Sequence, residues 1–354
     1  MEELRLYTIR DLKDWLLNGK SKEGLSEAVI TTTRAYSFIH NPYVTEDMPV
    51  VSVLFSDGEL AAFTAAFPER LARPDCLTHW INSLYVSPKY EGKGYALIVM
   101  GSLLECFEKD PVFDLDAMET SVEIFKYMGI GTTTFTRYCF REKSISTSTM
   151  RGKLLGLLEN RNRRRRRKNI ESRLNKELNG VEYELRYDNF VDKEACDFIV
   201  AHSEGDMFLR RQETLNWMLR YPFVHEAPML EKTQSKNLFS STKKVQHYYV
   251  VKLFIVDKLA AVYILHNSTT GMSLDYLYYD NQHEQTVFLS VIEHILRIEN
   301  NKFTTTHPRL AETVKQWSIY AIPYEKTLSL CYSKEYEQQT RLHIQGGDGD
   351  MILS

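Results

Sequence analysis

At 354 residues, 43% hydrophobic and 26% charged, the sequence has the composition of a globular chain long enough for two ordinary domains. Its net charge of −3 argues against a generally basic nucleic-acid binder, and apolar runs such as Ala96–Met100 and Leu253–Val256 are far too short to span a bilayer. Five scattered cysteines (Cys76, Cys106, Cys139, Cys196, Cys331) fit a reducing cytoplasm and offer neither a zinc site nor a disulfide framework, and Met1–Arg5 lacks the apolar core of a signal peptide.

Residues 4–10 read as a first strand, followed by a helical stretch through Trp15, Leu16 and Leu17 and a second helix between Leu25 and Phe38. Val50–Phe55 and Leu60–Phe67 are apolar strands joined by Ser56-Asp57-Gly58-Glu59, a strong hairpin signal. The stretch His79–Phe107 then reads as strand, tight turn and helix. Trp80, Ile81, Leu84, Tyr85 and Val86 supply the strand, Pro88 ends it, and Leu97, Met100, Leu104 and Phe107 recur at helical spacing. Gly92 and Gly94 remove the side chains where the helix begins. Its first N–H groups are then free at the positive end, which suits a pyrophosphate; an ordinary tight connection is the bland reading. Phe113–Met118 is a further buried strand. Thr120-Ser121-Val122-Glu123 reads as a capping box for a helix that Gly129 ends, and Thr132–Phe140 is strand again.

Three features of this region combine: a strand ending in Val-x-Pro (Val86-Ser87-Pro88), the loop Glu91-Gly92-Lys93-Gly94-Tyr95-Ala96, and an apolar helix directly after it. Together they resemble the acyl-CoA-binding motif of the GNAT (GCN5-related N-acetyltransferase) superfamily, with Glu91 where that family usually has Gln or Arg. The loop fits neither a Walker loop nor a three-glycine Rossmann fingerprint. The order β-α-α-β-β-β-α-β-α-β over residues 1–140 is also similar to the GNAT order. The cofactor residues that the resemblance implies are Leu84, Tyr85, Val86, Glu91, Gly92, Lys93, Gly94, Tyr95 and Ala96. The backbone of Leu84 and Val86 would pair with the pantetheine arm, and the amides of Gly92 to Ala96 would hold the pyrophosphate of acetyl-CoA or another acyl-CoA.

GNAT transfer needs a deprotonated amine, a polarised thioester and a proton for the leaving thiolate. The family commonly takes that proton from a Tyr four residues before the glycine that ends the later helix. Gly129 puts Phe125 there, and phenylalanine cannot donate. Tyr138, Cys139, Ser121 or water are the substitutes, of which Tyr138 is taken as the acid; otherwise this half no longer catalyses. Base candidates are Glu69, His79, Asn82, Ser83 and Glu119. Glu119, acting through a water, is taken as the base, and His79 is read first as structural.

Residues 141–180 change character. Ser144–Ser148 is Ser/Thr-rich, Leu154, Leu155, Leu157 and Leu158 form an apolar patch, and Arg161–Lys168 is a dense basic run. Ile170, Leu174 and Leu178 resume at four-residue spacing, so the stretch reads as a helical connector. A solvated face, an anionic substrate, an acidic partner or RNA would each explain the run, although it lacks aromatics for stacking. The second half then echoes the first: strand Val181–Tyr187, helix Lys193–His202, hairpin strands Tyr248–Val256 and Leu259–Leu265, strand Met272–Tyr279, helix Thr286–Ile298, then Phe303–Thr305, Arg309–Trp317 and Thr327–Tyr332. Its counterpart of the glycine loop, Tyr279–Gln285, contains no glycine. The insert Phe208–Phe223 reads as an amphipathic helix packing Leu215, Trp217, Met218 and Leu219, with Arg210, Arg211 and Arg220 as candidates for an anionic substrate.

The resulting expectation is an α/β (α+β) fold of two GNAT-like modules, each a mixed, mostly antiparallel central sheet flanked by helices. The spans are 1–143 for the acyl-CoA-binding module, 144–180 for a basic linker, 181–335 for a degenerate module and 336–354 for a tail. The expected function is a cytoplasmic N-acetyltransferase acting on a primary amine of a small molecule, with Asn82, Arg210 and Arg211 contacting substrate and no metal, as a monomer or homodimer. A non-catalytic CoA-binding scaffold and an RNA-associated protein using Arg161–Lys168 are the alternatives.

Overall fold

The computed structural model describes residues 1–19, 23–145, 148–226, 237–341 and 343–353, so the Ser/Thr-rich stretch, the expected linker and the expected tail lie partly outside the described residues. The chain forms two compact units, each assembled from separated segments. Unit 1 comprises residues 1–135, 203–244 and 328–354; unit 2 comprises residues 136–202 and 245–327. Both are mixed α/β units with a mostly antiparallel sheet flanked by helices. Contiguous spans such as 1–143 and 181–335 do not describe them.

In unit 1, β1 (Glu2–Thr8), β2 (Pro49–Ser56), β3 (Glu59–Arg70) and β4 (Leu77–Val86) lie antiparallel in chain order. Asp57 and Gly58, at φ 52° and 78°, make the tight turn that the Asp-Gly pair signalled. Helix α1 (Ile9–Leu17) is started by a capping box between Thr8 and Asp11. Helix α2 is shorter than the sequence suggested and runs only from Thr32 to Ile39, because Thr31 accepts from Arg34 N–H and fixes the start there. After β4 come α3 (Tyr95–Cys106), β5 (Val112–Leu115) and α4 (Glu119–Tyr127). The expected capping box at Thr120–Glu123 does not form. Met118 is the N-cap without a side-chain bond, and Glu119 supplies the acid of the first turn.

Strand β6 (Gly131–Arg141) follows, but it does not complete this sheet through β5. The partner of β5 on that side is the end of β14 (Ile322–Tyr332), antiparallel, with Leu330 opposite Leu115, Cys331 opposite Asp114 and Tyr332 opposite Phe113. Ser333 extends the register at both of its ends, accepting from Val112 N–H through Oγ and donating its own N–H to Val112 O. Under α3 and α4 lies a core of Ile81, Met100, Leu103, Val112, Phe125 and Ile130. The other face is aromatic: Trp80, Phe113 and Phe208 are in mutual contact, and Trp217 of α7 (Gln212–Arg220) donates Nε1–H to Ser37 O at 2.7 Å.

A separate parallel pair, β8 (Val224–Glu226) and β9 (Ser241–Lys243), also belongs to unit 1. Unit 2 has the strand order β7 (Tyr183–Asp188), β10 (Gln246–Ile255), β11 (Lys258–Ser268), β12 (Gly271–Tyr279), β13 (Lys302–Thr305) and β6. Its helices include α5 (Met150–Glu177), α6 (Lys193–His202), α8 (Glu284–Ile298) and α9 (Pro308–Gln316). Residues 138–141 of β6 pair antiparallel with β13, from Tyr138 opposite Thr305 to Arg141 opposite Lys302. Each unit therefore closes its sheet with a strand drawn from the far half of the sequence.

Candidate active site

The middle of β4 is bulged. Ala65 pairs with Asn82 and Phe63 with Tyr85, so Ser83 and Leu84 together oppose Thr64, and Ser83 takes φ 65°. The extra residue reverses which backbone groups face which edge. Before it, His79 N–H donates to Pro111 O on the β5 side; after it, Ser87 N–H donates to Ala61 O on the β3 side. Alternation therefore turns the backbone of Leu84 and Val86 toward the β5-facing edge. That edge is open, because the parallel pairing of β4 with β5 ends at Trp80 opposite Phe113.

A 3-10 turn at Pro88–Tyr90 leads to α3, whose N-cap is Gly94 at φ 76°. Gly92 has the same φ. At both positions a Cβ would meet only open space, so glycine is required by backbone conformation and not by crowding. The loop Glu91–Gly94 is exposed above a buried Tyr90, and the first amides of α3 have no acceptor within the helix. Tyr90 shares its one O–H between Ser56 O and Glu59 Oε2, both at 3.1 Å. Lys89 is neutralised by Glu59 at 2.5 Å. Lys93 makes no ion pair among the described residues, and its ammonium lies 5.0 Å from the Tyr90 ring centroid. An exposed helix N-terminus with one uncompensated cation is suited to a phosphate-bearing ligand.

Where β4 bulges, a polar network is buried beside it. Asn82 Nδ2 donates to Asp350 Oδ2 at 2.6 Å, and its Oδ1 accepts from Ser83 Oγ at 2.6 Å and from the Arg34 guanidinium. Arg34 arrives from α2, also donates to Ser83 Oγ and Phe239 O, and lies 4.9 Å from the Phe223 ring centroid. Burial lowers its pKa to about 10, and the Asp350 charge partly opposes the shift. Asp114 stands on β5 one residue beyond the last pair with β4. Burial pushes its carboxyl well above the usual carboxylate range, and the negative charge of Asp350 adds to this. A carboxyl that holds its proton to higher pH is a hydrogen-bond donor and an acid. Burial also pushes the thiol of Cys331, opposite Asp114, up to about 12.

Asp350 is held in place by a second buried network. Arg210 pairs with Glu69 and Asp348, Trp80 Nε1–H donates to Glu69 Oε2 at 2.6 Å, and Asp348 Oδ2 accepts from Gln345 N–H at 2.8 Å. Gly349, at φ 65°, passes so close to Leu115 and Trp80 that a Cβ would sit 3.0 and 3.3 Å from them.

Of the residues expected from sequence, Leu84, Tyr85, Val86 and Glu91 to Ala96 lie along the open strand edge and the loop, and Asn82 is inside the buried network. Arg210 is taken up by Glu69 and Asp348 with no side-chain exposure, which replaces the substrate-gripping reading with an anchoring one. Arg211 is half exposed beside Asp75 at 3.4 Å. Glu119 is exposed at the start of α4, while Tyr138 belongs to unit 2 and lines a surface cavity with Phe140, Lys315 and Tyr324, so neither unit contains both. Phe125 is a core residue. His79 is buried, stacked 3.7 Å from Phe107 and bonded to Asp110, and burial lowers its pKa. Arg34, Asp114 and Asp350 escaped the sequence reading; the available signals were a lone charge inside Val112-Phe113-Asp114-Leu115 and the turn-rich Gly-Asp-Gly-Asp at 347–350.

The corresponding helix start in unit 2 carries its own anion. Glu284 opens α8, accepts from Tyr279 OH at 2.9 Å and pairs with Arg309 at 2.5 Å. Among the described residues, no group of three or more His, Cys, Asp and Glu is arranged to hold a metal ion, and no helix is long and apolar enough to cross a membrane.

Residues 11–123 match the model of the acetyltransferase (GNAT) family. No match to a curated protein is found. Among solved structures, a GCN5-related N-acetyltransferase from Kribbella flavida aligns over 93% of this chain and 71% of its own, at 16% identity and a TM-score of 0.49. The N-myristoyltransferase of Saccharomyces cerevisiae with bound myristoyl-CoA aligns over 94% and 82%, at 12% identity and 0.47. A tandem GNAT protein from the clavulanic acid biosynthesis pathway aligns over 94% and 98%, at 12% identity and 0.46.

Proposed function

Because the chain is a member of the GNAT superfamily through residues 11–123, we propose that it is an acyl-CoA-dependent N-acyltransferase. In this reading it transfers acetyl from acetyl-CoA to a primary amine of a small molecule, an amino sugar or amino acid derivative, by direct attack in a ternary complex. The observation that carries the proposal is the bulged, open edge of β4 leading into the glycine-bearing start of α3. Leu84 and Val86 would bond the pantetheine amides through their backbone. The amides from Gly92 to Ala96, with Lys93, would hold the pyrophosphate.

The chemistry then falls to the residues at the bulge. The amine nitrogen bonds to the thioester carbonyl carbon and loses a proton to Asp350, which Asn82 and Arg34 orient. The carbon–sulfur bond breaks, and the leaving thiolate takes its proton from Asp114, in place of the tyrosine that Phe125 precludes. In this reading Asp350 and Asp114 take the roles expected from sequence for Glu119 and Tyr138. Turnover of Asp350→Asn against Glu119→Gln decides the base, and of Asp114→Asn against Tyr138→Phe the acid: large losses in the two aspartate variants alone support the buried pair, and a large loss in Glu119→Gln or Tyr138→Phe alone restores that residue.

Calorimetric titration with acetyl-CoA tests the foundation. The unmodified chain is expected to bind and Gly94→Trp to bind at least about tenfold more weakly, since a side chain at this φ disturbs the helix start. No binding by the unmodified chain would remove the basis of the proposal. Phe125 favours one second reading, a CoA-binding protein without catalysis; binding with no thiol release across a panel of amines would establish it.

A further inference from the structure

The long helix α5 presents two different faces. Toward the rest of unit 2 it places Arg163, bonded to Asn301 Oδ1 at 2.6 Å, Arg166, paired with Glu142, Arg167, paired with Glu299 at 2.7 Å, and the buried Ile170 and Leu174, with Leu178 buried just past its end. Arg173 lies 4.1 Å from the Trp317 ring centroid on the same side. At about 100° per residue the opposite stripe runs through Met150, Leu154, Leu157, Leu158, Arg161, Arg164, Arg165 and Lys168. Its first half is apolar and bare: Met150 is 86% exposed, Leu154 61%, Leu157 68% and Leu158 49%. Its second half is cationic, and none of Arg161, Arg164, Arg165 and Lys168 makes an ion pair among the described residues. Arg151 and Lys153 add two cations beside the leucines, against a single acid, Glu159, between Met150 and Ile170.

We propose that this face of α5 docks on an anionic lipid surface, a role independent of the acyltransfer reading. Leucines in the leading turns would enter the acyl boundary while the cations meet phosphate and carboxylate head groups, the division of labour of interfacial helices. Charge complementarity selects this occupant. A second copy of the chain would face arginine with arginine in a parallel pairing and leucine with arginine in an antiparallel one, since Met150, Leu154, Leu157, Arg161, Arg164 and Lys168 share one 3–4 spaced seam, so neither pairing satisfies both halves. A nucleic acid would engage the cations but leave the exposed leucines unused.

Sedimentation of the full chain with vesicles tests this, using pure phosphatidylcholine and phosphatidylcholine/phosphatidylserine mixtures. The expected result is capture by the mixed vesicles only, weakened by added salt. Leu154→Asp/Leu157→Asp and Arg164→Glu/Arg165→Glu are each expected to lose at least about tenfold in binding while keeping the unmodified melting profile. The proposal is overturned if mixed vesicles do not capture the chain, or if Leu154→Asp/Leu157→Asp binds them as well as the unmodified chain. Tighter binding to a duplex RNA than to mixed vesicles, unchanged in the leucine variant, would assign the face to nucleic acid instead.

Discussion

Burial raises the pKa of Asp114, so above the unfolded value near 3.9 the unfolded carboxyl ionises while the folded one keeps its proton. Stability from this residue is therefore lost as pH rises toward the folded pKa. Asp114→Asn removes that loss and is expected to raise the melting temperature at neutral pH while lowering turnover by about 10²–10⁴-fold, which scanning fluorimetry and a thiol-release assay would read together. His294 behaves in the opposite sense. Enclosed by Tyr187, Tyr249 and Tyr263, it has a pKa lowered by burial to about 4. Below pH 6.5 the unfolded imidazole takes its proton first, so stability falls by up to about 3 kcal/mol on the way to pH 4. His294→Phe is expected to flatten that slope in urea melts at pH 7 and pH 4.5. At this scale the sequence was half legible. Gly92, Gly94 and Asn82 announced themselves through spacing and strand position, whereas Arg34, Asp114 and Asp350 acquire their character only from burial beside one another, which no local pattern encodes.

Elements were read more securely than their ends and partners. Both Asp-containing hairpins formed around two-residue turns with positive φ at both positions, Asp57-Gly58 in one and Val256-Asp257 in the other; Asp-Gly announces such a turn locally, whereas valine disfavours positive φ and does not. The turn of the second lies one residue earlier than Asp257-Lys258. The capping box at Thr120 failed because Glu119 could occupy the first turn directly. The segment around Gly349 was not legible at all, since its turn-rich composition predicts no fixed seat, yet it threads between Trp80 and Leu115. Gly349→Ala is expected to cost about 1–2 kcal/mol from its φ alone, with the close contacts adding to that. It is expected to reduce turnover by displacing Asp350 while leaving acetyl-CoA affinity within about twofold; a parallel loss of affinity in calorimetry would show that the segment also shapes the cofactor edge.

At the scale of the molecule, alternation revealed that β6 and β14 are strands but not which sheet each completes, because side-chain period is blind to hydrogen-bond partner. Unit 1 also needs Arg210 and Asp348 around Glu69. A fragment of residues 1–143 would leave Glu69 buried without its counter-ion and β5 without an edge partner, so it is expected to show no cooperative melt by circular dichroism, unlike the whole chain.

The exchange of closing strands also sets a timetable. A ribosome delivers β5 early, but the residues that flank it arrive only after about 200 more have been made, a delay of roughly 10–40 s at cellular rates. Throughout that interval β6 is the nearest strand in sequence and a decoy for the vacant side of β5. The nascent chain must therefore either hold β5 unpaired or release a wrong neighbour later. Swapping the codons before β14 for slower ones should lengthen that window and lower the soluble yield without changing a single residue.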